Sequence, residues 1–187
     1  MTPSQLTLSV FTENNPGLLH RVTSVFTRRG LNIENLTVSP SELPGLHRYT
    51  IQVQMDIEAA RLLGLQLEKQ VEVLKVLIHE AYDVVERDLA MYKMPAEAWA
   101  DHAFRVLITE KQVTVLEQHP EYSVLEKTGS IQETTALFES LLPFGILEFV
   151  RSGSVALTRP MDTLNMFVKE IDQLRDVAAH MMNNKEA

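Results

Sequence analysis

Glu13-Asn14-Asn15-Pro16-Gly17 and, past an amphipathic stretch, Gly30-Leu31-Asn32-Ile33 hold the residues of this chain best suited to grip a small anion. A glycine at the first turn of a helix leaves backbone N–H groups bare. The helix dipole favours negative charge at the same point, so a carboxylate can approach closely. Asn14 and Asn32 are expected at adjoining strand ends, with Asn32 returning beside the same helix end. Two short polar side chains and a bare terminus would serve an α-carboxylate and an α-amino group together. An aliphatic side chain would then rest on Leu18, Leu19 or Ile33. The run Asn14 to Gly17 is equally a β-turn feeding a helix, since Asn, Pro and Gly all favour turns for backbone reasons. Both readings stand on these residues alone.

Covalent and metal chemistry find little to work with. His20, His47, His79, His102, His119 and His180 are scattered, without the i, i+4 pair that a helical metal site needs. Cysteine is absent, which excludes disulfides and thiolate sites. No Gly-x-Ser-x-Gly elbow and no glycine-rich phosphate loop occurs among the 7 glycines. No catalytic residue and no metal site is expected on this chain.

The elements that must position the asparagines follow from hydrophobic period. Leu6, Leu8 and Val10 alternate with Thr7 and Ser9 as a half-buried strand. Leu18, Leu19, Val22, Val25 and Phe26 then recur at helical spacing, and Gly30 is placed to end that helix in a left-handed conformation. Leu31 and Ile33 share one parity and Leu36 and Val38 the other, which predicts a second strand with a bulge or face switch near Asn35. Turn formers occupy Ser39 to Gly45. Tyr49, Ile51, Val53 and Met55 make a third strand. Ala59, Ala60, Leu63, Leu67 and Val71 mark a second helix, and Leu74, Val76 and Ile78 a fourth strand.

This βαββαβ order is the ferredoxin-like arrangement, an α+β fold with both helices on one face of a four-stranded antiparallel sheet. The other face needs a cover, and a neighbouring subunit is the simplest one. The second half repeats the order. Val85 to Met94 reads as a strand, Pro95 opens a short helix through Trp99 to Phe104, and Val106 to Ile108 and Val113 to Leu116 read as a broken strand pair. Tyr122 to Lys127 follows as a strand, and Ser130 and Glu133 have capping-box spacing ahead of a helix lined by Leu137, Phe138, Leu141 and Leu142. Ile146 to Thr158 closes the unit as a strand pair or one bent strand. The expected division is residues 5–81, 82–160 and an amphipathic C-terminal helix over 161–187 with Asp162 as its N-cap.

With 187 residues, 45% of them hydrophobic and 22% charged, the chain has the composition of an ordinary globular protein of two small units. A formal charge of -8, spread over both halves, makes nucleic acid an unfavourable partner. No run of about 18 apolar residues and no apolar leader is present, so no membrane is expected and the cytoplasm is the expected address.

Two stretches of the first half resemble the ACT domain of the small, regulatory subunit of acetolactate synthase (acetohydroxyacid synthase). They are Glu13-Asn14-x-Pro16-Gly17-x-Leu19-x-Arg21-Val22 and Arg29-Gly30-Leu31-Asn32-Ile33-Glu34-x-Leu36-Thr37-Val38. Glu86-Arg87-Asp88-Leu89, Glu126-Lys127-Thr128-Gly129 and Phe149 to Arg159 are similar to the second domain of the same family. The resemblance covers roughly residues 5–160. Pro95 to His119 fits it poorly, and the segment past Arg159 runs beyond many members.

The resemblance implies a non-catalytic chain that binds a separate catalytic (large) subunit. It would raise that subunit's activity and make it sensitive to branched-chain amino acids, chiefly valine. Thiamine diphosphate, magnesium and FAD are then expected on the catalytic subunit and no cofactor on this chain. It also implies a homodimer through the ACT domains with the effector between two copies. The matching positions are Asn14, Gly17 and Asn32, with Pro16, Leu18 and Ile33 as wall and backbone contributors. Two other readings have the same fold: a free-standing amino-acid sensor, and an enzyme built on a dimeric barrel. The barrel would need a polar cluster on the open sheet face, where Leu6, Leu8, Tyr49, Ile51 and Val53 are expected instead.

Overall fold

A computed structural model describes residues 4–159. The expected helix over 161–187 and its Asp162 cap lie outside the described residues. The first unit runs β1 (Ser4–Glu13), α1 (Leu18–Arg28), β2 (Asn35–Pro40), β3 (Leu46–Met55), α2 (Ile57–Leu67) and β4 (Val73–Glu80), with strand order β2-β3-β1-β4. The second runs β5 (Val84–Pro95), α3 (His102–Glu110), β6 (Thr114–Gln118), β7 (Tyr122–Gly129), α4 (Ile131–Leu141), β8 (Glu148–Arg151) and β9 (Val155–Thr158). Its order, β6-β7-β5-β8 with β9 also on β5, repeats the first sheet. Both sheets are antiparallel, as the ferredoxin-like reading requires.

The alternation in β1 and β3 buries one parity. Leu6, Leu8, Val10, Tyr49, Ile51 and Val53 form a core with Leu18, Val22, Val25 and Phe26 of α1 and Ala60, Leu63 and Leu67 of α2. These residues therefore lie under the helices, not on the open face where they were expected. The open face carries the other parity, Thr7, Ser9, Arg48, Thr50 and Gln52, and is polar. Part of its cover comes from the same chain rather than a neighbouring subunit. Thr7 Oγ1 donates to Glu86 Oε1 of β5 at 2.6 Å, and the turn at Gly153 seats on Asn35 and Thr37 of β2.

Three local expectations change. Residues 31–34 are not strand; β2 starts at Asn35 and pairs with β3 without a register shift, so no bulge lies there. Leu31 and Ile33 reach the core from the loop, which explains the change of parity. Val71 lies beyond α2 and is 92% exposed. Val106 to Ile108 belongs to α3, and Pro95 ends β5 ahead of a 3₁₀ turn holding Trp99. Phe104, Leu107 and Ile108 face the second core at i, i+3, i+4 spacing, and Asp101 caps the helix by accepting from Ala103 N at 2.7 Å.

The predicted capping box holds. Ser130 Oγ accepts from Glu133 N at 3.2 Å while Glu133 Oε2 accepts from Ser130 N at 2.7 Å. The two closing strands are one bent line along β5. Arg151 lies opposite Ala90 and Val155 opposite Arg87, so Ser152, Gly153 and Ser154 face only Leu89 and Asp88. Three residues against two make a bulge that pushes Gly153 outward.

Candidate effector site

Gly17 leads α1 in a left-handed conformation (φ 80°), with no side-chain cap and no acid in the first turn. The other three α-helices of the described residues are capped, by Asp56, Asp101 and Ser130. α1 thus leaves its N-terminal dipole without a side-chain partner. Nothing lies within 4 Å of where a Gly17 Cβ would stand, so the space above the helix end is open.

The loop that aims this helix is tied down by backbone bonds. Asn14 N donates to Gly45 O at 3.2 Å, and Leu18 N to Asn15 O at 3.3 Å. Asn15 Nδ2 donates to Glu13 Oε2 at 2.9 Å, while the Asn14 side chain makes no hydrogen bond among the described residues. Pro16 is exposed. Leu18 is wholly buried, so its side chain belongs to the core and cannot form a wall of the site. Leu19, 41% exposed, is the aliphatic neighbour on the open side.

Asn32 does not return to the same helix end. It follows the C-terminus of α1, which closes at Arg28 with Gly30 left-handed (φ 65°) as expected. An 11-residue helix spans about 16 Å. The register agrees: Glu13 pairs with Leu46 but Asn35 with Gln52, about 20 Å further along β3. Asn32 is exposed and donates through Nδ2 to Glu34 Oε1 at 2.9 Å, and Ile33 is half-buried against the core. Within one chain Asn14, Pro16 and Gly17 stay together, whereas Asn32 and Ile33 lie at the other end of the unit.

Between the units lies a cleft of about 640 Å³ that borders Ile33, Asn35 and Gln52 on one side and Asp88, Arg151 and Gly153 on the other. The signal for it in sequence is one glycine inside the β-rich run Phe149 to Leu157. Among the described residues no group of three His, Asp or Glu side chains stands close enough to hold a metal ion. No helix of the described residues is long and apolar enough to cross a membrane.

Comparison with known families agrees with this architecture in both units. Residues 8–75 match the acetohydroxyacid synthase small subunit-like ACT domain, and residues 87–160 match the small subunit of acetolactate synthase. The chain belongs to the acetolactate synthase small-subunit family. A probable acetolactate synthase small subunit of Methanothermobacter thermautotrophicus is 35% identical over 165 residues, 88% of this chain and 98% of the relative. The Bacillus subtilis acetolactate synthase small subunit is 34% identical over 155 residues, covering 82% and 89%. The crystal structure of the acetolactate synthase small subunit from Thermotoga maritima is similar over 84% of this chain and 99% of its own. It matches with a TM-score of 0.77 and 29% identity. Membership among small subunits implies a catalytic subunit as partner.

Proposed function

We propose that this chain is the cytoplasmic regulatory subunit of an acetolactate synthase, raising the activity of its catalytic subunit and conferring feedback inhibition by valine. The thiamine diphosphate, magnesium and FAD of the reaction reside on that catalytic subunit. The observation that carries the effector site is the N-terminus of α1, uncapped behind a left-handed Gly17.

Asn14 and Gly17 form half of this site, and Asn32 the other half on a second copy. β2 is an edge strand. Two such edges meeting antiparallel across a two-fold axis set the Asn32 end of one copy beside the Gly17 end of the other. The amino-acid carboxylate faces the helix N-terminus, with Asn14 and the second copy's Asn32 on its polar groups. Pro16, Ile33 and the backbone at Leu18 complete the enclosure, and Leu19 takes part of the apolar side chain.

Such a ligand inhibits only by binding one arrangement of the assembly better than another. A coupling of about 1 to 3 kcal/mol changes activity several-fold to about a hundredfold. Acetolactate formation by the purified catalytic subunit, with and without this chain and valine, tests the proposal. Stimulation by the chain and its reversal by valine are expected. Absence of both overturns it, and valine binding without stimulation would mark a free-standing amino-acid sensor instead.

A further inference from the structure

Among the described residues, most of the buried side-chain polar atoms without a hydrogen-bond partner lie on the open face of the first sheet or where the second unit meets it. They include Thr37 Oγ1, Gln52 Nε2 and Arg48 Nε, together with Asp88 Oδ2 and Arg151 Nε, which face each other as an ion pair without a hydrogen bond. The two units meet through a few side-chain and backbone contacts.

The contact at its centre is a backbone knob. On β5, Asp88 is buried and grips both flanks of the bulge: Ser154 Oγ donates to its Oδ1, and Arg151 Nε lies 3.6 Å from its Oδ2. Ser152 fixes the remaining side, its N–H donating to Leu89 O at 2.9 Å while its Oγ accepts from Leu89 N at 3.1 Å. The bulge therefore sets Gly153 at φ 82°. A Cβ there would stand 2.5 Å from Asn35 Oδ1 and 3.1 Å from Thr37 Oγ1, so those side-chain ends would have to shift.

From Asn35 the contacts run across the sheet. Asn35 Nδ2 donates to Gln52 Oε1 at 3.1 Å, Gln52 pairs in register with Thr7, and Thr7 Oγ1 donates to Glu86 Oε1 on β5. The chain begins three residues after Asn32 and ends two before Asp88. Asn35 is thus placed between the Asn32 segment and the knob.

We propose that the seat of Gly153 on Asn35 is the coupling contact by which effector occupancy at the first unit reaches the second. This rests on the valine site proposed above and adds how the site communicates. Asn35 and Gly153 are then positioning residues that touch no ligand. The effect travels because packed contacts have discrete arrangements rather than a continuum.

The test is to separate binding from inhibition in the full chain reconstituted with its catalytic subunit. Asn35→Ala removes the seat and Gly153→Ala wedges it. Both variants are expected to bind valine by calorimetry within about threefold of wild type and to stimulate the synthase normally in its absence, yet to lose at least half of the valine inhibition. The double variant, where Asn35→Ala vacates the space that the new Cβ needs, is expected to unfold at a higher temperature than Gly153→Ala alone. If Gly153→Ala fails to fold, Asn35→Ala still decides. Full inhibition in Asn35→Ala with valine bound normally overturns the coupling contact while leaving the valine site intact. Failure of the wild-type chain to bind valine removes both.

Discussion

At Gly17 the backbone requirement and the proposed ligand chemistry coincide. A left-handed residue there costs a β-carbon-bearing side chain about 1 to 2 kcal/mol, less for Asp or Asn. Yet nothing crowds the position. Gly17→Asp is therefore expected to fold with a modestly lowered melting temperature, to stimulate the synthase, and to lose valine inhibition, since its carboxylate occupies the effector's place. Gly17→Ala carries the strain without the charge and is expected to keep inhibition; loss of inhibition in both would assign the effect to backbone strain. A second residue-scale expectation concerns His79, which is buried with Nε2 unpaired among the described residues. Burial, reinforced by the Arg48 guanidinium and opposed by Asp83, holds its imidazole below the ordinary 6.5. The folded state thus resists a proton that the unfolded chain accepts. This contribution to stability is whole above pH 6.5 and declines as pH falls from there through the lowered folded value. Melting curves between pH 7.5 and 5.5 should show a steeper acid loss in wild type than in His79→Leu; parallel curves would remove His79 as the cause.

At the scale of elements, α4 and α1 make opposite use of their first turns. α4 is closed by a reciprocal cap, and the N–H and hydroxyl of Ser130 hold the Glu133 carboxyl below its usual range. α1 is left open. Ser130→Ala should lower stability by about 1 kcal/mol in denaturant unfolding. It should leave valine inhibition unchanged, because the proposed effector residues lie in the first unit and α4 in the second. A change in inhibition would tie α4 to regulation. α3 shows how a short element escapes a sequence reading. Arg105-Val106-Leu107-Ile108 has β propensity, but Asp101 caps it and Phe104 and Ile108 bury on one helical face. Tertiary burial overrides local preference there.

At the scale of the molecule, an effector shared between copies is linked to their association. A ligand that binds only the dimer, present at a hundredfold over its dissociation constant, contributes about 2.7 kcal/mol for each site filled. Sedimentation equilibrium should therefore show valine tightening self-association by about a hundredfold per site. Asn32→Ala should weaken both valine binding and this tightening together. Unchanged association at saturating valine would place the site within one chain.

Much of this architecture was legible because its signals are local. Alternation in Leu6, Leu8 and Val10, the period of α1, the Gly30 stop and the Ser130 to Glu133 cap depend on neighbours a few residues away, and each is where it was expected. So is the helix end without a side-chain cap at Gly17. Which parity of β1 faces the helices, which end of α1 Asn32 occupies, and what the Gly153 bulge touches were decided only by the fold. Alternation gives two faces but not their cover, and a loop's direction is set by strand pairing across the whole sheet. Sequence alone determined most of the elements, α3 excepted, and which groups could bind an anion; tertiary structure separated Asn14 from Asn32 and set Gly153 against Asn35, because only long-range register brings distant residues together or holds near ones apart.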